Sequence, residues 1–142
     1  YFFTRLVAEY ERVKPEWGHL TPSPAAWLAF GAGKAGFRFT WSFRGNNRFS
    51  TELFIDCGDK ESNKAYFNEL RTRANDINRE IDGLEWEELP DRKGSRIVLY
   101  YQMPAFVTDL ADKQIDDLTK WCIEKMDLFK KVFPKYINNI KK

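Results

Sequence analysis

Residues 37–56, FRFTWSFRGNNRFSTELFID, decide the fold of this chain. From Phe37 to Phe43 an aromatic side chain stands at every second position, and this period of two is typical of a strand with one buried face. The glycine and two asparagines at 45–47 tolerate the left-handed backbone of a tight turn. A second alternating run covers 48–56. The segment therefore predicts an antiparallel hairpin whose aromatic face lies in the core.

The flanking segments add helices and further strands. Apolar residues at spacings of three and four predict helices over 1–14 and 60–82, and a last helix that Thr108 caps and that Pro134 kinks or divides. Short apolar or alternating runs predict the remaining strands over 25–30, 84–89 and 95–102.

The resulting element order, α-β-β-β-α-β-β-α, lacks the regular strand–helix alternation of a doubly wound sheet. We therefore predict an α+β fold, a five-stranded, mainly antiparallel sheet with helices on one face. The length of 142 residues fits a single domain over 1–142. Because the first residue is Tyr rather than Met, we expect a C-terminal fragment of a longer protein.

Composition excludes several classes of protein. Apolar residues make up 43% of the chain and aromatic residues 16%, enough large side chains to exclude global disorder. The 23 basic residues are balanced by 21 acidic ones, which excludes a strongly cationic coat. No apolar run approaches the roughly 18 residues of a membrane span. We expect a cytoplasmic protein with no membrane partner.

Few residues offer metal or nucleophilic chemistry. Cys57 and Cys122 form no C-x-x-C pair, and with the single histidine, His19, they fall short of the four ligands of a structural zinc site. We expect two reduced thiols in a reducing cytoplasm, although the sequence leaves a disulfide between them open. No G-x-S-x-G motif is present. We therefore predict no metal, no cofactor and no catalytic residue, and we favour a non-enzymatic role while leaving an enzymatic one open.

The pattern Gly31-x-Gly33-x-x-Gly36 matches the glycines of a dinucleotide-binding loop. That loop must be followed by a helix, whereas a clear strand follows here, so the Rossmann interpretation fails. A flexible turn between two strands is the simpler interpretation. Lys34 within it could still hold an anion weakly.

Pro90-Asp91-Arg92-Lys93 suggests an enzymatic alternative, since Asp91-x-Lys93 resembles the Asp/Glu-x-Lys triplet of magnesium nucleases. That chemistry needs two carboxylates and a lysine around one metal-bound water. Glu52 or Asp56 would have to supply the second carboxylate. The alternative hypothesis is therefore a degenerate or atypical magnesium nuclease, which requires these side chains to converge.

The second face of the sheet carries the charged residues. If the aromatic row points inward, the other side, which we call the open face, holds Arg38, Arg44, Arg48, Glu52, Glu85, Glu87, Arg96, Val98 and Tyr100. Arginines mixed with aromatic rings can bind nucleic acid through phosphate contacts and stacking. The same face could instead be solvated and laced with cross-strand ion pairs of Arg38 or Arg96 with Glu52 or Glu87, or be covered by a protein partner.

Three segments resemble a known family: 27–36, the run Glu52-Leu53-x-Ile55, and LEWEELPDRKGSRI at 84–97. The chain is similar over nearly its whole length to a bacterial and archaeal family known only as a domain of unknown function. Its members end in an amphipathic helix with a central Trp and a later Phe, where Trp121 and Phe133 stand here. The resemblance implies a module often C-terminal in longer proteins, some with restriction-endonuclease-like N-terminal domains, and hence an association with DNA metabolism or defence. It supplies no catalytic residues.

Our leading hypothesis is a non-enzymatic accessory module that binds nucleic acid or a protein partner through the open face. The candidate binding residues are Arg38, Arg48, Arg96 and Tyr100, with Lys34 beside them. A third hypothesis is an oligomerisation module, which would expose an aromatic patch around Trp86, Tyr100 and Tyr101.

Overall fold

The computed structural model describes residues 2–22 and 25–140. Four helices are α1 Phe2–Val13, α2 Lys60–Arg71, α3 Ala74–Glu80 and α4 Asp112–Ile137. Five strands are β1 Trp27–Gly31, β2 Phe37–Arg44, β3 Arg48–Ile55, β4 Glu85–Glu87 and β5 Ser95–Gln102. Short 3-10 turns occupy Pro15–Trp17 and Val107–Asp109.

The strands form one antiparallel sheet in the order β1-β2-β3-β5-β4. Asn46 and Asn47 connect β2 to β3 with φ values of 62° and 56°, the left-handed conformation expected of this turn. In the register, Phe39 lies opposite Leu53 and Leu53 opposite Ile97. Because facing residues share a side of the sheet, these strands contribute one continuous apolar face.

That apolar face packs against the helices. Trp41 is fully buried, and its indole Nε1 donates a hydrogen bond to the Cys122 carbonyl of α4 at 3.1 Å. Phe39 meets the rings of Phe129 and Phe133, also from α4. Each buried ring contributes about 1.5–3 kcal/mol relative to exposure. The predicted α+β class, with helices on one face of a five-stranded sheet, is confirmed.

The single helix predicted over 60–82 is wrong, because the chain forms α2 and α3 with a break at Thr72 and Arg73. The Thr72 hydroxyl donates to the Glu69 carbonyl at 2.6 Å, and the Arg73 amide bonds to the Leu70 carbonyl three residues back. These shorter-range bonds tighten the turn and end the α-helical ladder. Ile77, in α3, nevertheless remains buried.

Two predicted strands have different bounds in the structure. The strand predicted over 25–30 is β1, which begins at Trp27 and ends at Gly31. The one predicted over 84–89 shortens to β4, of three residues. Leu89 has a φ of 57°, a left-handed conformation that takes the backbone out of the strand.

The last helix also begins later than predicted. Thr108 lies in the 3-10 turn and caps nothing in α4. The helix instead begins after Ala111, whose amide donates to the Gln114 side chain at 2.8 Å, one half of a capping box. Pro134 does not divide α4, which continues to Ile137.

The chemically reactive side chains are dispersed. Cys122 is buried in α4, whereas Cys57 lies at the surface, and no disulfide joins them. His19 lies at the surface, with its Nδ1 2.8 Å from Glu11. Within residues 2–22 and 25–140, no helix combines the length and apolarity needed to cross a membrane.

Candidate functional site

The strand register assembles the open face. Arg38 on β2 lies opposite Phe54 on β3, Phe54 opposite Arg96 on β5, and Arg96 opposite Glu87 on β4. Arg38 and Arg96 therefore share one side of the sheet, the side away from the helices. The arrangement follows directly from the inward-facing aromatic row.

A groove of about 350 Å³ lies on the open face. Strands β2, β3 and β5 form its floor, and the loop at 88–94 forms one wall. We call it the arginine groove, lined by Trp27, Arg38, Thr40, Ser42, Arg44, Glu52, Phe54, Leu89, Arg92, Gly94 and Arg96.

Glu52 sits at the floor of this groove with a side chain only 1% exposed. Arg44 Nη2 lies 2.6 Å and 2.8 Å from its two carboxylate oxygens, and the Ser50 hydroxyl donates to it at 2.9 Å. A buried carboxylate is tolerated only when it is paired and hydrogen-bonded in this way. The pair fixes the guanidinium of Arg44 in place.

A second carboxylate holds Arg96, on β5. Arg96 Nε donates to Glu87 at 2.6 Å, and the Tyr100 hydroxyl donates to the other oxygen at 2.8 Å. Burial alone would lower the pKa of Arg96, but the hydrogen bond to Glu87 and nearby charges raise it overall. Burial is the larger cause that raises the pKa of Tyr100, and the hydrogen bond to Glu87 raises it further. The guanidinium of Arg48 stacks 4.1 Å from the Tyr100 ring centroid.

Arg38 differs from these arginines because it is exposed and makes no salt bridge with an acidic residue among those described. Its guanidinium lies 5.6 Å from the Trp27 ring centroid and 5.5 Å from that of Phe54. Arg92, in the 88–94 loop, is also exposed and has no salt bridge within the described chain. In the groove, Arg44 and Arg96 are therefore held by carboxylates, whereas Arg38 and Arg92 can contact a ligand without first breaking a salt bridge.

A lysine behind the groove fixes the 88–94 loop. Lys64 Nζ lies within hydrogen-bond distance of four oxygens, which its three N–H groups share: the carbonyls of Leu89 and Gly94 at 2.7 Å each, the Ser95 hydroxyl at 2.9 Å, and the Glu88 carbonyl. Burial lowers the pKa of Lys64. A Cβ at position 94 would lie 2.7 Å from the Phe54 ring, so glycine allows the loop to pack directly on the floor.

The residues of the nuclease alternative do not assemble into one centre. Asp56 approaches Lys93, at 3.9 Å, but Glu52 is engaged by Arg44. Asp91 is exposed at the loop tip. Among the described residues, which include all four candidates, no group of three or more His, Cys, Asp or Glu side chains could hold a metal ion.

The aromatic patch of the oligomerisation hypothesis is not formed. Trp86 faces the helices, where its Nε1 donates to Asn78 and its ring packs on Phe67. Tyr101 packs against Trp121 of α4. Tyr100 alone of the three rings lies on the open face, so the proposed patch is divided between opposite sides of the sheet.

Lys34 lies outside the arginine groove, in the turn after β1, with its Nζ 5.8 Å from the Tyr66 ring centroid. Sequence reasoning did not place Trp27 or the 88–94 loop, with its exposed Arg92, at the groove. The position of Trp27 opposite Ser42 could have revealed its side of the sheet. The position of Arg92 depends on the loop anchor at Lys64, for which the sequence offers no local signal.

Comparison with known proteins identifies the family. The model of a domain of unknown function (DUF4268) matches residues 1–137. The chain belongs to the DUF4268 family. The resemblance to an uncharacterised domain family is thereby confirmed. No curated protein and no solved structure matches this DUF4268 domain. The segments that carried the resemblance supply three parts of its groove: Trp27 at the rim, Glu52 at the floor, and the 88–94 loop as a wall.

Proposed function

We propose that this DUF4268 domain is a non-enzymatic binding module that takes nucleic acid in the arginine groove. The observation that carries the proposal is the convergence of Arg38, Arg44, Arg92 and Arg96 around one groove. Glu52 and Glu87 balance the charges of Arg44 and Arg96, so the excess positive charge comes from Arg38 and Arg92. Such an excess of positive charge in a concave site attracts a polyanion and is the electrostatic footprint of phosphate binding.

The fixed arginines favour phosphate recognition in particular. A guanidinium presents a planar fork of donors that matches phosphate oxygens in pairs. Glu52 and Glu87 already hold Arg44 and Arg96 in defined positions, with contacts of 2.6 Å each. A ligand therefore loses less side-chain freedom on binding than it would on flexible lysines.

The alternative that the open face is only a network of structural ion pairs explains some of its arginines and not others. It accounts for Arg44 and Arg96, each of which has a carboxylate partner. It accounts less well for Arg38, whose exposed guanidinium lies beside Trp27 and Phe54. The charge of Arg38 helps to lower the pKa of Asp56, but the two form no salt bridge among the described residues. A bound phosphate would give this guanidinium an anion in direct contact.

The test is fluorescence anisotropy with a short labelled DNA oligonucleotide at about 50 mM salt, followed by a salt titration. We expect Arg38→Glu to weaken binding by about tenfold or more, and to reduce the dependence on salt by roughly one phosphate contact. Arg38 is the better target than Arg96, since Arg96→Glu would also place a new carboxylate against Glu87.

The matched control is Arg71→Glu, at an exposed residue of α2 outside the groove that, like Arg38, contacts an aromatic ring and has no salt bridge among the described residues. It makes the same change in net charge and should leave affinity within about twofold of the wild type. Absence of oligonucleotide binding by the wild type at low salt, or equal losses for the two variants, would contradict the proposal.

A further inference from the structure

We infer that the nucleic acid taken by the arginine groove is single-stranded and that one of its bases stacks on Trp27. This inference rests on the proposed function and specifies its ligand. The sequence-based expectation did not distinguish single-stranded from double-stranded nucleic acid.

The first support is the exposure of Trp27. Its side chain is 48% exposed, and among the described residues only Val13 and Phe106 share this class of large exposed apolar side chain. Most tryptophans cover a larger part of their surface with protein, and indole rings at a binding surface usually serve as contact area. An aromatic ring at the rim of a cationic groove provides a platform for a nucleic-acid base.

The second support is the order of the groups along the groove. Trp27 lies opposite Ser42 in the register between β1 and β2. On β2, Arg38 lies four residues from Ser42 in one direction and Arg44 two residues in the other, roughly 13 Å and 7 Å at the rise of a strand. These are backbone positions, and both guanidinium groups reach back toward the middle of the groove: that of Arg38 lies 5.6 Å from the Trp27 ring centroid, and that of Arg44 lies against Glu52, which is opposite Thr40. A base stacked on the exposed part of the ring would therefore have guanidinium groups beside it for its backbone phosphate.

The third support is the shape of the groove. It is a concave space of about 350 Å³, and its floor between the arginines consists of the short, buried side chains Thr40 and Ser42. In a duplex the bases are stacked on one another inside the double helix. A base can stack on a protein side chain only after it flips out of the helix, which costs energy. A single strand presents its base faces freely. It can therefore use the ring and the arginines together.

The experiment measures affinity by anisotropy with two probes, a labelled single-stranded thymidine oligonucleotide and the same oligonucleotide annealed to its complement. We expect Trp27→Ala to weaken single-strand binding about 5- to 100-fold, the range found when one stacking ring is lost. Trp27→Tyr should retain most of the affinity, because a tyrosine ring also stacks. The wild type should bind the duplex more weakly than the single strand.

Phe106→Ala is the matched control, because Phe106 is the most exposed of the large apolar side chains described, at 69%, and does not line the groove. It should leave both affinities unchanged. Thermal melts of all variants establish that Trp27→Ala is folded. If Trp27→Ala is unfolded, the affinities of Trp27→Tyr and Trp27→Leu are compared instead. Leucine keeps an apolar side chain at this position but has no stacking ring.

The outcomes separate this inference from the proposed function. Single-strand binding that survives loss of the ring, or a duplex bound as tightly as the single strand, overturns the inference while nucleic-acid binding stands. If neither probe binds at about 50 mM salt, both the inference and the proposed function are wrong.

Discussion

Replacing Phe39 with aspartate is expected to leave the chain unable to fold. The Phe39 side chain is 2% exposed and packs against Phe129 and Phe133 of α4. The substitution removes about 1.5–3 kcal/mol of ring burial and places a carboxylate in an apolar interior, where desolvation costs several kcal/mol more. Because a domain of this size is stable by only about 5–15 kcal/mol, the combined loss removes most or all of its stability.

Circular dichroism with thermal melting measures this outcome. The matched control is Phe106→Asp, which makes the same chemical change at a side chain that is 69% exposed. The control should melt within a few degrees of the wild type, since surface substitutions usually change stability by about 0.5 kcal/mol or less. A Phe39→Asp protein that melts cooperatively near the wild-type temperature would show that the aromatic row does not hold the sheet to the helices.

Replacing Glu52 with alanine is expected to destabilise the domain by about 3 kcal/mol, the lower end of the range for breaking a buried ion pair. The Glu52 carboxylate is 1% exposed, whereas the Arg44 side chain retains 26% exposure. Loss of Glu52 leaves the Arg44 guanidinium without its acceptor inside the sheet, whereas the Ser50 hydroxyl retains the Ser42 carbonyl at 3.3 Å. Water can reach part of Arg44, and this is why we expect the lower value.

Urea denaturation measures that loss. Glu85→Ala is the control, because Glu85 lies on the same face but is exposed, and its removal should cost about 0.5 kcal/mol or less. The double variant Glu52→Leu with Arg44→Leu should recover much of the stability, since an apolar pair can replace a buried ion pair. A loss below about 1 kcal/mol for Glu52→Ala would indicate that the pair is solvated rather than structural.

The sheet and its two faces could be predicted from sequence because a period of two depends only on local geometry. Alternation over β2 and β3 assigned Phe39 and Glu52 to opposite sides, as the structure has them. The break at Thr72 was not predicted, since the apolar spacing on either side of it continues with little change of phase. The tight turn there is held by the bond from the Thr72 hydroxyl to the Glu69 carbonyl and by the bond from the Arg73 amide to the Leu70 carbonyl.

The candidate site was predicted less completely than the fold. Cross-strand adjacency suggested that Glu52 would pair with Arg38 or Arg96, yet Arg44 reaches it along the sheet at 2.6 Å. A long arginine side chain can choose among several neighbours, so strand register alone does not determine its partner. The wall of the groove depends on Lys64, which lies some 24 to 31 residues from the atoms it holds, and such long-range contacts have no local pattern.

The most direct test of the account is a map of the nucleic-acid contacts on the folded domain. Backbone amide chemical shifts in a ¹⁵N NMR spectrum would be followed as a single-stranded oligonucleotide is added. The account predicts that the largest changes fall on β2, β3 and β5 and on the 88–94 loop, around Arg38 and Trp27. Changes concentrated on α1 and α4, with the sheet unaffected, would contradict it.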